Sequence, residues 1–334
     1  MQKYDACRIF IYNFITMTIT FFHPGKAFLP EVGAYRDFFV KYGVTTHILS
    51  PEGADQPRIA DQPRGADQPR NADVEWYFMG RGGKKKKGKV IIHEYSSCSV
   101  PPLFRVKDRI KRLINPEPDF RLFQNEYVRS QMSPGNKIPY GFRGHGCLPQ
   151  TASPATSTPA SPSYDLIYVG SVDSKRRLDR LFDHFISGPL REHRLLVVSR
   201  DYQALRERLG HPPNIHFKGP VAPEEIPLCI RQARYGINFM PDREPFNSQP
   251  SGKFLDYAAC RIPIISTDYA WVRQFQETAG GKYFYLRPDL SNFTWEAITG
   301  FDYRQPDLTG WSWDEKIRHS GVLEFLSSRG LLAL

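Results

Sequence analysis

The sequence predicts an α/β protein built from two Rossmann-like, doubly wound domains. Three observations carry that prediction. From residue 166 onward, short apolar runs alternate with helical patterns at the spacing of a parallel sheet. Residues 9–49 open the chain with a β–α–Gly–β pattern of the same kind. Between the two lies QTASPATSTPASPS, residues 150–163, a Ser/Thr/Pro/Ala stretch with no apolar periodicity that reads as a linker. The expected domains are therefore 1–149 and 164–334.

In the first half, the β-branched run at residues 9–22 reads as a buried first strand. Lys3 and Arg8 ahead of it also suit a signal peptide. The run is too short for a span of about 20 residues, however, and no small-x-small cleavage site follows. After the turn His23-Pro24-Gly25-Lys26, the spacing of Val32, Tyr35, Phe39 and Tyr42 predicts a helix over 30–42, ended by Gly43. A strand is expected at 44–49. The pentapeptide ADQPR then recurs at 54–58, 60–64 and 66–70, too few and too polar to stack as a solenoid, and residues 54–73 read as an expanded surface loop. A strand at 74–79 leads to a basic loop with Lys84 to Lys87. That loop is either a solvated face or a contact for anionic lipid or a phosphate-bearing acceptor. Further elements are a strand at 90–93 ending in His93, a basic amphipathic helix over 103–114, a strand at 120–123 and a helix at 126–132.

In the second half, strands are expected at 166–169, 195–199, 215–217, 235–240, 262–266 and 283–286. Helices are expected at 178–186, 202–209, 226–232, 253–259 and around Trp271. Ligands of such sheets bind at the carboxyl ends of the strands.

The chain has 334 residues, 40% hydrophobic and 13% aromatic, enough to form cores and too apolar for global disorder. A formal charge of +10 favours anionic partners: nucleic acid, an acidic membrane surface or a pyrophosphate. The five cysteines are scattered and odd in number, without CxxC. They point away from a disulfide framework or a structural zinc and toward a reducing, cytoplasmic setting. GxSxG, Walker A, HExxH and GxGxxG are all missing.

The stretch EPFNSQPSGKFLDYAACRIPIISTD, residues 244–268, runs from a polar loop into a short helix and then a strand. Ser251 is placed to cap the helix, and Lys253 adds a cation to its positive end, which suits a pyrophosphate. Asp256, one turn in, could accept two vicinal ribose hydroxyls. Upstream, Gly170 and Ser171 close a strand before the basic run Lys175, Arg176 and Arg177, which is either a second phosphate contact or an exposed helix start.

These residues resemble the donor-binding signature (K)xLEAxAxGxPVI of retaining glycosyltransferases with two Rossmann-like domains, the GT-B architecture of the glycosyltransferase family 4-like, group 1 enzymes. Lys253, Leu255, Asp256, Ala258, Ala259, Cys260, Pro263, Ile264 and Ile265 fall on the pattern. The resemblance implies a nucleotide-sugar donor and a glycan or lipid-linked acceptor, with the domains facing across a cleft, the first on the acceptor side. It also implies transfer with retention, without a cofactor and, since no DxD occurs, without a metal. Arg176 would take the place of the family's pyrophosphate lysine, and Ser171 that of its arginine. Asp256 would bind the ribose in place of a Glu. The family's sugar-binding Glu falls at Ser248, with Glu244 four residues upstream, so Glu244, Ser248 and Gln249 become the candidates beside the transferred sugar. His93 corresponds to a histidine near the donor sugar in several relatives. Residues 322–326 are expected to pack back near the first domain, and the basic first domain to contact an anionic membrane peripherally. Two rival readings are an impaired relative that binds without transfer, and a nucleic-acid-binding protein. The second lacks any recognition motif.

Overall fold

The computed structural model describes residues 13–14, 17–25, 29–50, 72–80, 82, 85, 87–133, 135, 137–147, 162–172, 176 and 178–333. The start of the first run, the ADQPR repeats, Lys26, Lys84, Lys86, Lys175, Arg177 and all but the last two residues of the linker lie outside them. Among the described residues, no helix is long and apolar enough to cross a membrane.

The chain divides into two units, 1–144 with 313–334, and 145–312. In the first, the elements run β1 (Asn13–Phe14), β2 (Thr18–Phe22), α1 (Pro30–Val40), β3 (Thr45–Leu49), β4 (Val74–Phe78), β5 (Val90–Tyr95), α2 (Phe104–Ile114), β6 (Phe120–Phe123), α3 (Glu126–Met132) and β7 (Tyr140–Phe142). Six of the strands form one sheet in the order β3-β2-β4-β5-β6-β7, every neighbour parallel. Helix α1 starts on Pro30, whose fixed φ suits a first turn, and buries Val32, Tyr35, Phe38 and Phe39 along one face. Tyr35 meets Trp76 of β4 at 4.4 Å between ring centroids, and Phe21 of β2 meets the same indole at 5.5 Å. Gly43 has φ +78° two residues beyond the helix cap, the left-handed turn its sequence position predicted.

A buried charge network ties the strand ends of this sheet to α1. Arg143 directs Nε to Glu94 at 2.7 Å and a terminal nitrogen to Glu31 at 3.2 Å, and all three side chains are buried. Glu94 also accepts from the Trp76 indole N–H at 3.0 Å, and Ser96 donates to Glu31. Burial pushes Glu94 up to about 7 against the pull of Arg143. Burial disfavours the guanidinium too, but the two carboxylates hold it above its ordinary value.

In the second unit the order is β8 (Tyr164–Val169), α4 (Asp179–Ile186), β9 (Leu195–Val198), α5 (Gln203–Arg208), β10 (Ile215–Lys218), α6 (Ile226–Ile230), β11 (Ala233–Asn238), α7 (Gly252–Ala259), β12 (Ile264–Thr267), α8 (Ala270–Ala279), β13 (Phe284–Leu286) and α9 (Trp295–Thr299). The sheet reads β10-β9-β8-β11-β12-β13, again all parallel. Alternate residues of each strand feed two apolar layers. Leu166, Leu195 and Val197 pack with Phe182 and Phe185 of α4, while Ile167, Leu196 and Val198 pack on the face that holds Phe254 and Phe275.

The remaining elements are α10 (Trp313–Arg318), α11 (Val322–Ser328) and β14 (Leu332–Ala333), and they belong to the first unit. The chain is therefore not divided by a single cut at 150–163. Val322, Leu323 and Leu326 enter the first unit's core, Phe325 stacks on Phe120 at 4.6 Å, and β14 pairs antiparallel with β1. The approach is close enough that a Cβ on Gly141 of β7 would stand 1.8 Å from the Ser320 carbonyl oxygen.

Replacing Arg143 with Met would leave two buried carboxylates without their cation. Loss of one partner of such a network costs about 3–5 kcal/mol, and urea unfolding of Arg143→Met is expected to show a loss of that order.

Candidate functional site

The second unit's strand order reverses between β8 and β11. Neighbouring strands there send their chains to opposite faces, the place where ligands of such sheets bind. The β8–β11 ladder pairs Tyr235 with Leu166 and Gly236 with Ile167. Beyond it Tyr257 of α7 inserts its hydroxyl, which accepts from Val169 N–H at 2.9 Å and lies 3.3 and 3.4 Å from the Ile167 and Ile237 carbonyl oxygens. Gly236 makes room for the ring, since a Cβ there would come within 2.6 Å of it.

A second network fixes the start of α7. Ser251 is its N-cap, with Oγ accepting from Phe254 N–H at 3.4 Å and donating to Asn238 Oδ1 at 2.7 Å. Asn238, wholly buried at the end of β11, donates to Ser266 Oγ at 2.9 Å and Tyr269 Oη at 3.2 Å. Thr267 accepts from Met240 N–H at 3.0 Å and donates to its carbonyl at 2.9 Å, so the residue just past β11 is held too.

Two of the expected donor-binding residues of this unit, Arg176 and Lys253, meet at Met240. Arg176 brings a terminal nitrogen to 3.1 Å from the Met240 sulfur, and Lys253 Nζ lies 3.8 Å from it. No ion pair joins either cation to a carboxylate among the described residues, and the Arg176 Nε is buried without a partner. Gly170, at φ +124°, lets the lysine in: a Cβ there would be 3.3 Å from Lys253 Cε. The ammonium also sits over the Tyr168 ring at 5.1 Å. Phe246 lies under both Arg176 and Arg243, at 5.7 and 5.8 Å from its ring centroid.

Lys253 and Asp256 share one face of α7, three residues apart, and keep some solvent exposure although protein surrounds their charged ends. Burial pulls Lys253 well below its ordinary value, and the Arg176 charge adds to this. Burial pushes Asp256 up to about 7, with Lys253 opposing. A thioether is a weak acceptor, so two cations facing one sulfur form a site electrostatically suited to an anion.

The other predicted residues are placed as follows. Glu244, Ser248 and Gln249 all lie on the loop between β11 and α7. Glu244 is half-buried before Pro245, Ser248 Oγ faces Asn247 Oδ1 at 3.3 Å, and Gln249 Nε2 is buried without a partner. Ser171 follows Gly170, and its carbonyl accepts from Tyr168 Oη at 2.8 Å. The Ser251 hydroxyl is committed to the cap and to Asn238. His93 belongs to the other unit. Its Nε2 donates to the Gly82 carbonyl at 3.0 Å, leaving Nδ1 buried without a partner. Burial lowers the ring to about 4, so it is neutral near pH 7.

Sequence reasoning missed Met240, Phe246, Tyr257 and Asn238. Only Asn238 carried a signal, an amide within the apolar run YGINFM.

The glycosyl transferases group 1 family matches residues 163–296, which contain this site. No curated protein sequence matches the chain. Among solved structures, the sucrose-phosphate synthase of Thermosynechococcus elongatus is similar at 10% identity and a TM-score of 0.57, over 94% of this chain and 98% of that one. AviGT4, a glycosyltransferase involved in avilamycin A biosynthesis, matches at 12% identity and 0.55, over 94% and 96%. A glycosyltransferase of Rickettsia africae matches at 12% and 0.55, over 94% and 98%. At such identities these structures show the fold, the two parallel-sheet units of GT-B glycosyltransferases.

Replacing Tyr257 with Phe strands the Val169 N–H in a buried position, which costs about 1–3 kcal/mol. Chemical denaturation of Tyr257→Phe is expected to show that loss, and an unchanged midpoint would mean that the switch point does not depend on the hydroxyl.

Proposed function

We infer that this chain is a glycosyltransferase, its residues 163–296 matching glycosyl transferases group 1, that binds a nucleoside-diphosphate sugar at the β8–β11 switch point and transfers the sugar to a glycan or lipid-linked acceptor. The observation that carries the donor assignment is the convergence of Arg176 and Lys253 on the Met240 sulfur, with neither in an ion pair among the described residues. The diphosphate would displace this weak contact. Arg176 would grip it with its planar fork and Lys253 with a point charge, while the capped start of α7 turns backbone N–H groups toward it. Asp256 would accept the ribose hydroxyls. Gln249 Nε2 has a free donor for the donor molecule, and Glu244 and Ser248 flank it on the same loop.

In the proposed reaction the bond between the anomeric carbon and the diphosphate oxygen breaks, and the electron pair leaves with the diphosphate. The acceptor hydroxyl oxygen bonds to the anomeric carbon on the same face, giving retention, and its proton passes to a leaving phosphate oxygen. The two cations would stabilise the departing charge, so turnover should persist in the presence of a chelator. His93 is neutral near pH 7 and so would not act as an acid. A second reading, binding without transfer, rests on Ser171 in place of the family's arginine. It predicts nucleotide binding with no turnover of any sugar donor.

Calorimetry with UDP, GDP, ADP, TDP and CMP is expected to single out one diphosphate. Its binding should weaken by about 1.5–3 kcal/mol in Arg176→Ala and in Lys253→Ala, as for hydrogen bonds to charged groups. Failure of every nucleotide to bind would remove the basis of the reading. Proton NMR of the product's anomeric centre tests retention.

Binding should also depend on pH on both sides. The Asp256 carboxylate is present above about 7 and lost as pH falls through that value. The Lys253 charge is present below its depressed value and lost as pH rises through it. Affinity for a nucleotide sugar, whose diphosphate diester does not titrate here, should rise through neutrality and fall again before the ordinary lysine range. Asp256→Asn should abolish the acid limb and, by removing a charge that raises Lys253, move the alkaline limb to lower pH; an acid limb retained in that variant would exclude Asp256 as its source.

A further inference from the structure

Helix α2 turns its apolar side away from the protein. Val106, Ile110, Leu113 and Ile114 are 51, 50, 78 and 71% exposed, and Leu103, directly before the helix, is 71% exposed. At 100° per residue these positions share one stripe about 100° wide. The buried residue of the helix is the acid, Asp108, which accepts from Ser99 N–H at 3.0 and 3.1 Å and lies 3.6 Å from Lys111 Nζ. The helix is thus anchored by its polar side, the reverse of an ordinary surface helix. Leu103 has φ +57°, a conformation unfavourable for a side chain of its size, and it holds that side chain in water.

The charges decide what covers this face. Five of the eleven residues of α2 are cations, Arg105, Lys107, Arg109, Lys111 and Arg112, and its one acid is buried and bonded. Lys107 borders the apolar stripe on one side and Arg109 on the other. An apolar centre with cations on both flanks suits the boundary between lipid headgroups and acyl chains, where long basic side chains reach back to phosphates. A second copy of the chain would set cation against cation.

We propose that α2, with Leu103, is an interfacial helix that docks this protein on an anionic lipid bilayer. The proposal does not depend on the donor-site reading, and it places the contact on α2 and not on the Lys84 to Lys87 loop.

The test is co-sedimentation of the full chain with phosphatidylglycerol-containing vesicles and with phosphatidylcholine vesicles. Binding is expected on the first, weak binding on the second, and weakening with salt. Ile110→Glu with Leu113→Glu should lower binding more than about tenfold, and Lys107→Glu with Arg109→Glu should do so too, since each cation near such a surface is worth about fivefold. All four positions are exposed, so an unchanged thermal melt should accompany the loss. Leu113→Trp should show a blue-shifted emission on anionic vesicles, quenched by brominated acyl chains. The proposal is overturned by equal binding to both vesicle types, by no binding to either, or by full binding of the Glu variants with loss on neutralising Lys84 to Lys87. It is equally overturned by a lipid-free dimer that Leu113→Glu dissolves, which would assign the face to a second copy.

Discussion

Past Gly236, β8 and β11 stop pairing with each other, and one phenolic hydroxyl takes over. Tyr257 gives the Val169 N–H a partner that the diverging strand no longer supplies, and a buried N–H must have one. Because that tyrosine is on α7, the same contact fixes the helix over the opening. Six residues earlier, Ser251 ties the helix start to Asn238, and Asn238 ties it to β12 and the start of α8. The position of Lys253 against Gly170 follows from these two attachments, as does the shared approach of Arg176 and Lys253 to Met240.

The two units treat buried cations in opposite ways. Arg143 in the first unit is surrounded by Glu94, Glu31, a backbone carbonyl and the Trp313 ring, and its hydrogen-bonding capacity is largely spent. Arg176 and Lys253 in the second unit face a sulfur and aromatic rings. The first arrangement rigidifies. The second sets two cations side by side with no ion pair to either among the described residues, and an anion that bound them would stabilise the fold by mass action. The same contrast separates α1, whose apolar face is buried under aromatic rings, from α2, whose apolar face meets solvent.

Much of the fold was legible from periodicity. Strand 120–123 and helix 126–132 match the sequence expectation residue for residue, and most other elements differ by one to three positions at their ends. The discrepancies have local causes. The helix from Pro30 ends at Val40, because the turn closes on Tyr42 and Gly43 before the strand begins. The strand through His93 continues to Tyr95, because Glu94 and Tyr95, polar by composition, are buried by partners from distant segments. β7 was not foreseen: its three residues, Tyr140 to Phe142, depend on parallel pairing with β6, and Gly141 on the approach of the tail.

The sequence by itself determined the two parallel sheets, the βα unit bearing Lys253 and Asp256, and the cap at Ser251. Each rests on short-range rules: apolar period, cap chemistry, and the need of a positive φ for glycine. Tertiary structure alone decided that Met240 lies between Arg176 and Lys253, and that the whole of 313–333, and not only the expected 322–326, belongs to the first unit. It also decided that the acid of α2 faces inward and its apolar residues outward. For the contacts that build the site the partner is far away in the chain. Arg176 and Met240 are 64 residues apart, and Val169 and Tyr257 are 88 apart. A local pattern can say that a residue is charged or apolar, but only the folded chain says what it faces.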